Sequence, residues 1–75
     1  MKTIVNGFLY DTEISEMIYT DRYKSRTYFR TPKNNYFVFY RTGEIVPTSE
    51  KNIKDILGKN DISKYIELFG EPKEA

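Results

Sequence analysis

One stretch narrows the folds open to this chain more than any other. It runs Arg26-Thr27-Tyr28-Phe29-Arg30-Thr31, then Pro32-Lys33-Asn34-Asn35, then Tyr36-Phe37-Val38-Phe39-Tyr40-Arg41. Aromatic and β-branched residues fill both flanks, which is strand composition. Pro32 brings no amide hydrogen, and Asn34 and Asn35 tolerate the left-handed conformation, so the middle reads as a turn. The segment is therefore an antiparallel hairpin. With Thr31 facing Tyr36 across a four-residue turn, Phe29 faces Val38 and Thr27 faces Tyr40. Strand side chains alternate between faces. Phe29, Tyr36, Val38 and Tyr40 then share one face, and Tyr28, Phe37 and Phe39 share the other with Arg26, Arg30 and Arg41. A two-layer domain covers one face of such a hairpin, so some rings, fringed by arginine, are expected to stay open.

A chain of 75 residues makes one domain, residues 1–75. So small a domain hides only about 60% of its unfolded surface. Its seven Tyr and five Phe supply the bulk that a short core needs, each ring burying on the order of 150–250 Å². The net charge is only +1, but the middle is basic. Arg22, Lys24, Arg26, Arg30, Lys33 and Arg41 stand against Asp21 alone between residues 21 and 43. A basic centre between mildly acidic ends suits a surface that meets something anionic, or a hairpin guarded by charge against edge-to-edge pairing.

The rest of the chain reads in order. Asn6-Gly7 between Ile4-Val5 and Phe8-Leu9 is a strong hairpin signal. It sets Val5 opposite Phe8 and Ile4 opposite Leu9. Asp11-Thr12 is a helix cap, with Glu13 and Glu16 at the positive end of the dipole and Ile14, Met17 and Ile18 on one face. That predicts a short helix over Thr12–Tyr19. Residues 20–25 break the period and form a loop. Thr42-Gly43 turns the chain into a short strand over Glu44–Val46, stopped by Pro47. Thr48 or Ser49 caps a second helix that ends at Leu57 before Gly58. Asp61 caps a third, with Ile62, Tyr65, Ile66 and Phe69 on one stripe and Gly70 as its stop. Residues 72–75 fray. The fold class is α+β: a small antiparallel sheet built from an N-terminal hairpin and a central hairpin, one short helix after the first hairpin, and two short C-terminal helices.

Catalytic chemistry finds little to work with. The chain has no Cys and no His, so thiolate and imidazole metal sites and a cysteine nucleophile are excluded. Ser15, Ser25, Ser49 and Ser63 have no His to activate them. Asp11, Glu13 and Glu16 read as dipole-favouring surface charge rather than a metal cluster. No Gly-rich phosphate loop is present. The expectation is a chain that is not an enzyme and carries no cofactor. No run of ~20 apolar residues and no signal-peptide pattern opens it, so a cytoplasmic protein without membrane partners is expected.

The order of landmarks carries a resemblance. It opens on Lys2-Thr3-Ile4-Val5-Asn6-Gly7 with Tyr10-Asp11-Thr12-Glu13. Phe29-Arg30-Thr31, Lys33-x-Asn35-Tyr36-Phe37 and Ile45-Val46-Pro47-Thr48 follow, and Tyr65-Ile66-Glu67-Leu68-Phe69-Gly70-Glu71 closes it. This resembles a family of short, mostly uncharacterised proteins carried by phages, prophages and mobile elements of low-GC bacteria. The likeness covers nearly the whole chain, and its motifs are structural. Many relatives have Gly where this chain has Asn34, and their longer Gly-rich excursion after the hairpin is shortened here to Thr42-Gly43. Small proteins of this genomic type often act against host defence. The resemblance therefore implies an anti-CRISPR inhibitor in the cytoplasm of a bacterial host, partnered with a Cas nuclease or effector complex.

Two binding classes follow from the residues. Tyr and Arg are enriched at protein interface hot spots, which favours a protein partner. Arginines alternating with aromatics also suit RNA or DNA, phosphates on the cations and bases on the rings. Either way the candidate binding residues are Arg26, Tyr28, Arg30, Lys33, Phe37, Phe39 and Arg41. Monomer and homodimer both remain open at this point.

Overall fold

Asn6 and Gly7 take positive φ, 51° and 80°, and close the first hairpin as their chemistry dictates. In the computed structural model, which describes all of residues 1–75, β1 (Lys2–Val5) pairs antiparallel with β2 (Phe8–Asp11). Val5 lies opposite Phe8 and Ile4 opposite Leu9. A four-stranded antiparallel sheet follows in simple meander order: β3 (Glu16–Thr20), β4 (Arg26–Arg30), β5 (Tyr36–Tyr40) and β6 (Ile45–Thr48). Two helices close the chain, α1 (Glu50–Asn60) and α2 (Ile62–Phe69). The α+β class stands, and no helix is long and apolar enough to cross a membrane.

The short helix expected after the first hairpin is not formed; Glu16–Thr20 is the edge strand β3. Ile14, Met17 and Ile18 do recur at helical spacing, but Glu-Met-Ile-Tyr-Thr also suits a strand, and pairing with β4 decides between them. A bulge between Met17 and Tyr19 breaks the ladder. It leaves Ile18 unpaired and turned into the core, beside a Tyr19 whose ring lies 6.1 Å from that of Tyr28. Alternation is lost at the bulge, so no two-residue period is legible there. Asp11 and Thr12 still act as turn-formers. Asp11 Oδ1 accepts from the Glu13 amide at 3.0 Å, and the Thr12 hydroxyl donates to the Met1 carbonyl at 3.2 Å.

The central hairpin forms with its register moved by one residue. Arg30, not Thr31, lies opposite Tyr36, so Phe29 faces Phe37 and Tyr28 faces Val38. Thr31 is drawn into the turn. Its amide donates to the Asn35 carbonyl at 2.7 Å, its carbonyl accepts from the Asn34 amide at 2.9 Å, and its hydroxyl accepts from the Asn35 amide at 3.0 Å. Of the two asparagines, Asn34 takes the left-handed conformation, φ 66°. A slip of one residue exchanges partners between faces. Tyr28, Tyr36 and Val38 therefore share one face, and Phe29, Phe37 and Phe39 share the other.

Both faces are covered, which makes three layers where two were expected. On the first face Ile18, Tyr28, Tyr36 and Val38 pack with Ile53 and Leu57 of α1, with Tyr65, Leu68 and Phe69 of α2 alongside. On the second, Phe37 stacks on Phe29 at 5.1 Å and meets Tyr10 of the first hairpin edge-on at 5.6 Å. Strand β1 also lies beside β6. The helix caps hold as read: Ser49 Oγ accepts from the Asn52 amide at 3.1 Å, and Asp61 Oδ1 from the Lys64 amide at 3.1 Å. Gly70 ends α2. Two stop signals are overridden. Gly58 lies inside α1, which runs on to Asn60, and Pro47 lies within β6, an edge strand where a missing amide hydrogen is tolerated.

Candidate binding surfaces

The seven candidate residues part company in the fold. Tyr28 is 5% exposed and Phe37 fully buried. Neither ring is open to a partner, because helices and hairpin between them cover both faces of the sheet. Phe39 is half-buried. Arg30 is held across the sheet by Glu16, Nη2 to Oε1 at 2.7 Å, and Glu16 in turn lies 3.8 Å from the Lys64 ammonium. Arg30 is thus part of an ion-pair network that ties β3 and β4 to α2. Lys64 also donates to Glu67 at 2.7 Å, and that bond, outweighing partial burial, holds its pKa above the ordinary value. Arg26, Lys33 and Arg41 remain exposed. Lys33 sits in the β4–β5 turn, while Arg26 and Arg41 sit at the opposite end of those strands.

Much of the apolar surface that stays uncovered lies on the N-terminal hairpin, while Met17, Tyr23 and Ile62 are exposed elsewhere. Thr3, Val5 and Tyr10 are at least partly buried, whereas Ile4 is 71%, Leu9 53% and Phe8 64% exposed. A two-stranded ribbon presents alternate side chains on both faces. Once Tyr10 turns inward onto Phe37, its neighbour Leu9, with Ile4 opposite, must point out. Ile14, 60% exposed, joins Phe8, Leu9, Tyr10, Pro32 and Lys33 in lining a groove of about 390 Å³ between the hairpin and the β4–β5 turn. Sequence reasoning missed this surface because it assigned Ile14 to a helix face and the aromatic surplus to the central hairpin. The strict alternation of Ile4 with Val5 and of Leu9 with Tyr10 was the available signal.

A second groove, about 550 Å³, is polar and lies between the β4–β5 turn and the start of α1, with Arg30, Tyr36, Thr48 and Glu50 among its walls. Burial, with Glu50 nearby, pushes the Tyr36 phenol above its ordinary pKa, against the pull of Arg30. The hydroxyls and amides there serve the fold: Thr48 Oγ1 accepts from the Asn52 side chain at 2.8 Å and Ser49 caps α1. The carboxylates weighed as a cluster do not converge. Asp11 closes a turn and Glu16 is ion-paired. No three acidic, His or Cys side chains gather into a group able to hold a metal.

The loops at the far end of the sheet are built differently. In the 21–25 loop Asp21 is the organiser. Its Oδ2 accepts from the Ser25 hydroxyl at 2.7 Å and its Oδ1 from the Ser25 amide at 2.8 Å. These bonds, the hydroxyl's first, hold its carboxyl below the usual pKa. Around it stand Arg22, Tyr23 and Lys24, all exposed. Comparison with protein-family models, with curated proteins and with solved structures finds no match to this chain.

Proposed function

We propose that this chain is a non-enzymatic binding protein of the phage anti-defence kind, an anti-CRISPR inhibitor that blocks a Cas effector complex by protein–protein contact. The resemblance of its landmark order to small phage and mobile-element proteins supports the biological class. The observation that carries the mode of action is the apolar surface left uncovered on the first hairpin, Ile4 and Leu9 on its outer face and Phe8 beside the turn, with Ile14 continuing the groove that Phe8 and Leu9 line. Each such side chain, still more than half open to water, contributes about 25 cal/mol for each Å² of apolar surface that a partner covers. Apolar anchors of this kind make the dry centre of an interface, and polar groups make its rim. Lys33 at the edge of the groove favours a partner that sets a carboxylate beside its apolar residues. A typical interface takes about 800 Å² from each partner, which the 5638 Å² surface of this chain accommodates on one side.

Inhibition by occlusion needs no catalytic group, which fits a chain without Cys or His. The test is target-DNA cleavage by purified Cas effector complexes, titrated with the protein. Stoichiometric inhibition is expected, lost in the Leu9→Glu variant while its circular dichroism stays native. Full cleavage by every effector type at saturating protein would sink the proposal. Inhibition that survives Leu9→Glu would move the contact away from the hairpin.

A further inference from the structure

We infer that the end of the sheet opposite the apolar groove binds single-stranded nucleic acid, with Tyr23 as the base-stacking ring and Arg22, Lys24, Arg26 and Arg41 as the phosphate contacts. This surface is separate from the one used in the reading above and does not rest on it. Strand β3 ends at Thr20 and β4 begins at Arg26, while β5 ends at Tyr40 and β6 begins at Ile45. The meander therefore brings loops 21–25 and 41–44 to the same end. They are joined directly, the Arg41 amide donating to the Ser25 carbonyl at 2.9 Å.

Three features of this end point to a polyanion with flat bases. First, none of the four cations is ion-paired; every salt bridge in the chain involves Arg30, Lys51, Lys54 or Lys64 instead. The loops hold two carboxylates. Asp21 already accepts three bonds, from the Ser25 amide, the Ser25 hydroxyl and, through its own carbonyl, the Lys24 amide. Glu44 is the other. Second, Tyr23 is 75% exposed, more open than any other large hydrophobic side chain. The Arg22 guanidinium lies 5.8 Å from its ring centre, and Arg26 repeats the arrangement over Tyr40 at 5.9 Å. An open ring next to guanidinium groups is the stacking platform of proteins that hold single strands. Third, Lys24 occupies the left-handed region, φ 57°, where Gly or Asn is cheaper. A long cationic side chain stands there at a position whose backbone suits Gly, Asn or Asp better.

The net charge of +1 does not oppose this, because salt screens charges beyond about 8–10 Å and a strand feels the local cluster. An acidic protein would use the four cations and the exposed ring as well, so Tyr23→Ala and competition by polyglutamate separate the two.

The experiment is fluorescence anisotropy with a dye-labelled single-stranded RNA of about 12 nucleotides at about 50 mM salt. Binding is expected with a log–log salt slope of about −2 to −3, the value for three or four phosphate contacts on a single strand. Tyr23→Ala is expected to weaken binding about tenfold through lost stacking. A Lys24→Glu/Arg41→Glu double variant is expected to abolish it. Lys51→Glu, in the first turn of α1 near the other end of the sheet, is expected to stay within about twofold of the parent. Circular dichroism establishes that each variant is folded. Absence of binding at low salt overturns the inference, as does equal loss in Lys51→Glu and the double variant. Full retention of affinity in Tyr23→Ala, together with displacement of the RNA by polyglutamate, also overturns it and assigns the surface to acidic proteins.

Discussion

The two faces of the central sheet are closed by different means, and the difference decides where the molecule stays open. On one face, α1 and α2 lay apolar stripes onto Ile18, Tyr28, Tyr36 and Val38. α1 turns its opposite side, rich in Lys, Glu and Asn, to water, and α2 exposes Ser63 and Glu67 together with Ile62. On the other face, the cover is a two-stranded ribbon whose inner contact is Tyr10 on Phe37. A ribbon cannot hide one apolar face without displaying another, because its side chains alternate. The inner strip of Thr3, Val5 and Tyr10 therefore comes with an outer strip of Ile4 and Leu9. α1 buries Ile53 and Leu57 almost completely, whereas the hairpin covers its face and leaves apolar side chains on its outer side. The chain's apolar surplus, expected on the central hairpin, is carried outward to the first one.

That contrast makes the helix face the seat of global stability and the hairpin a separately yielding layer. The sharpest way to break it is Leu57→Ala. Leu57 is 1% exposed in the helix-side cluster, and a truncation of this kind costs about 2–5 kcal/mol. An unstapled domain of this size has only about 3–5 kcal/mol in total. The variant is expected to be largely unfolded at 25 °C by circular dichroism. Tyr10→Ala strikes the other face. It removes one edge-on ring contact and part of a half-buried side chain, at about 1–2 kcal/mol. Amide exchange in β1 and β2 should accelerate while β4, β5 and α1 keep their protection. Equal acceleration throughout would mean that the hairpin is integral to the global unit.

Smaller effects sharpen the contrast. Gly58 lies inside α1, and an added methyl group would meet no atom within 4 Å. Gly58→Ala should stabilise by about 0.5–1 kcal/mol through helix propensity. A higher melting temperature should then come with slower exchange on the helix side and unchanged local opening of the first hairpin. The smallest effect is expected at Asp21. Its folded pKa is lowered by its bonds to Ser25, so its contribution is present above the ordinary Asp value near ~3.9. That contribution fades as pH falls through the folded value. The Ser25 amide resonance should titrate with a midpoint below that of a free Asp. No step from this group is expected between about pH 5 and 8. A midpoint at or above the free value would show that the loop is not held by this carboxylate.

Much of the fold was legible because its signals are local. Asn6-Gly7 closes a hairpin in any context, and Ser49 and Asp61 satisfy helix amides within three residues. The failures lie where a distant partner chooses among local options. Ile14, Met17 and Ile18 carry the helical period, yet β4 recruits their segment as a strand, and a bulge erases the strand period that would have announced it. The one-residue error in the central register came from treating Thr31 as a strand residue when its hydroxyl and backbone close the turn. Of the candidate site, the open cations Arg26, Lys33 and Arg41 were legible from charge. Tyr28 and Phe37 were misplaced because aromatic content does not say which rings a third layer will cover. Arg30 was misplaced because its partner Glu16 was assigned to a helix.

The bulge in β3 and Pro47 in β6 have a further consequence, for self-association. Tyr36-Phe37-Val38-Phe39-Tyr40 has the makings of a fibril-forming segment: aromatic, β-branched, uncharged and free of proline. The meander places it second from one border of the sheet, and neither border offers a regular template. One outer strand is kinked and begins with a carboxylate, and the other contains a residue with no hydrogen to donate. Those two imperfect borders disfavour the edge-to-edge pairing through which such a segment would polymerise.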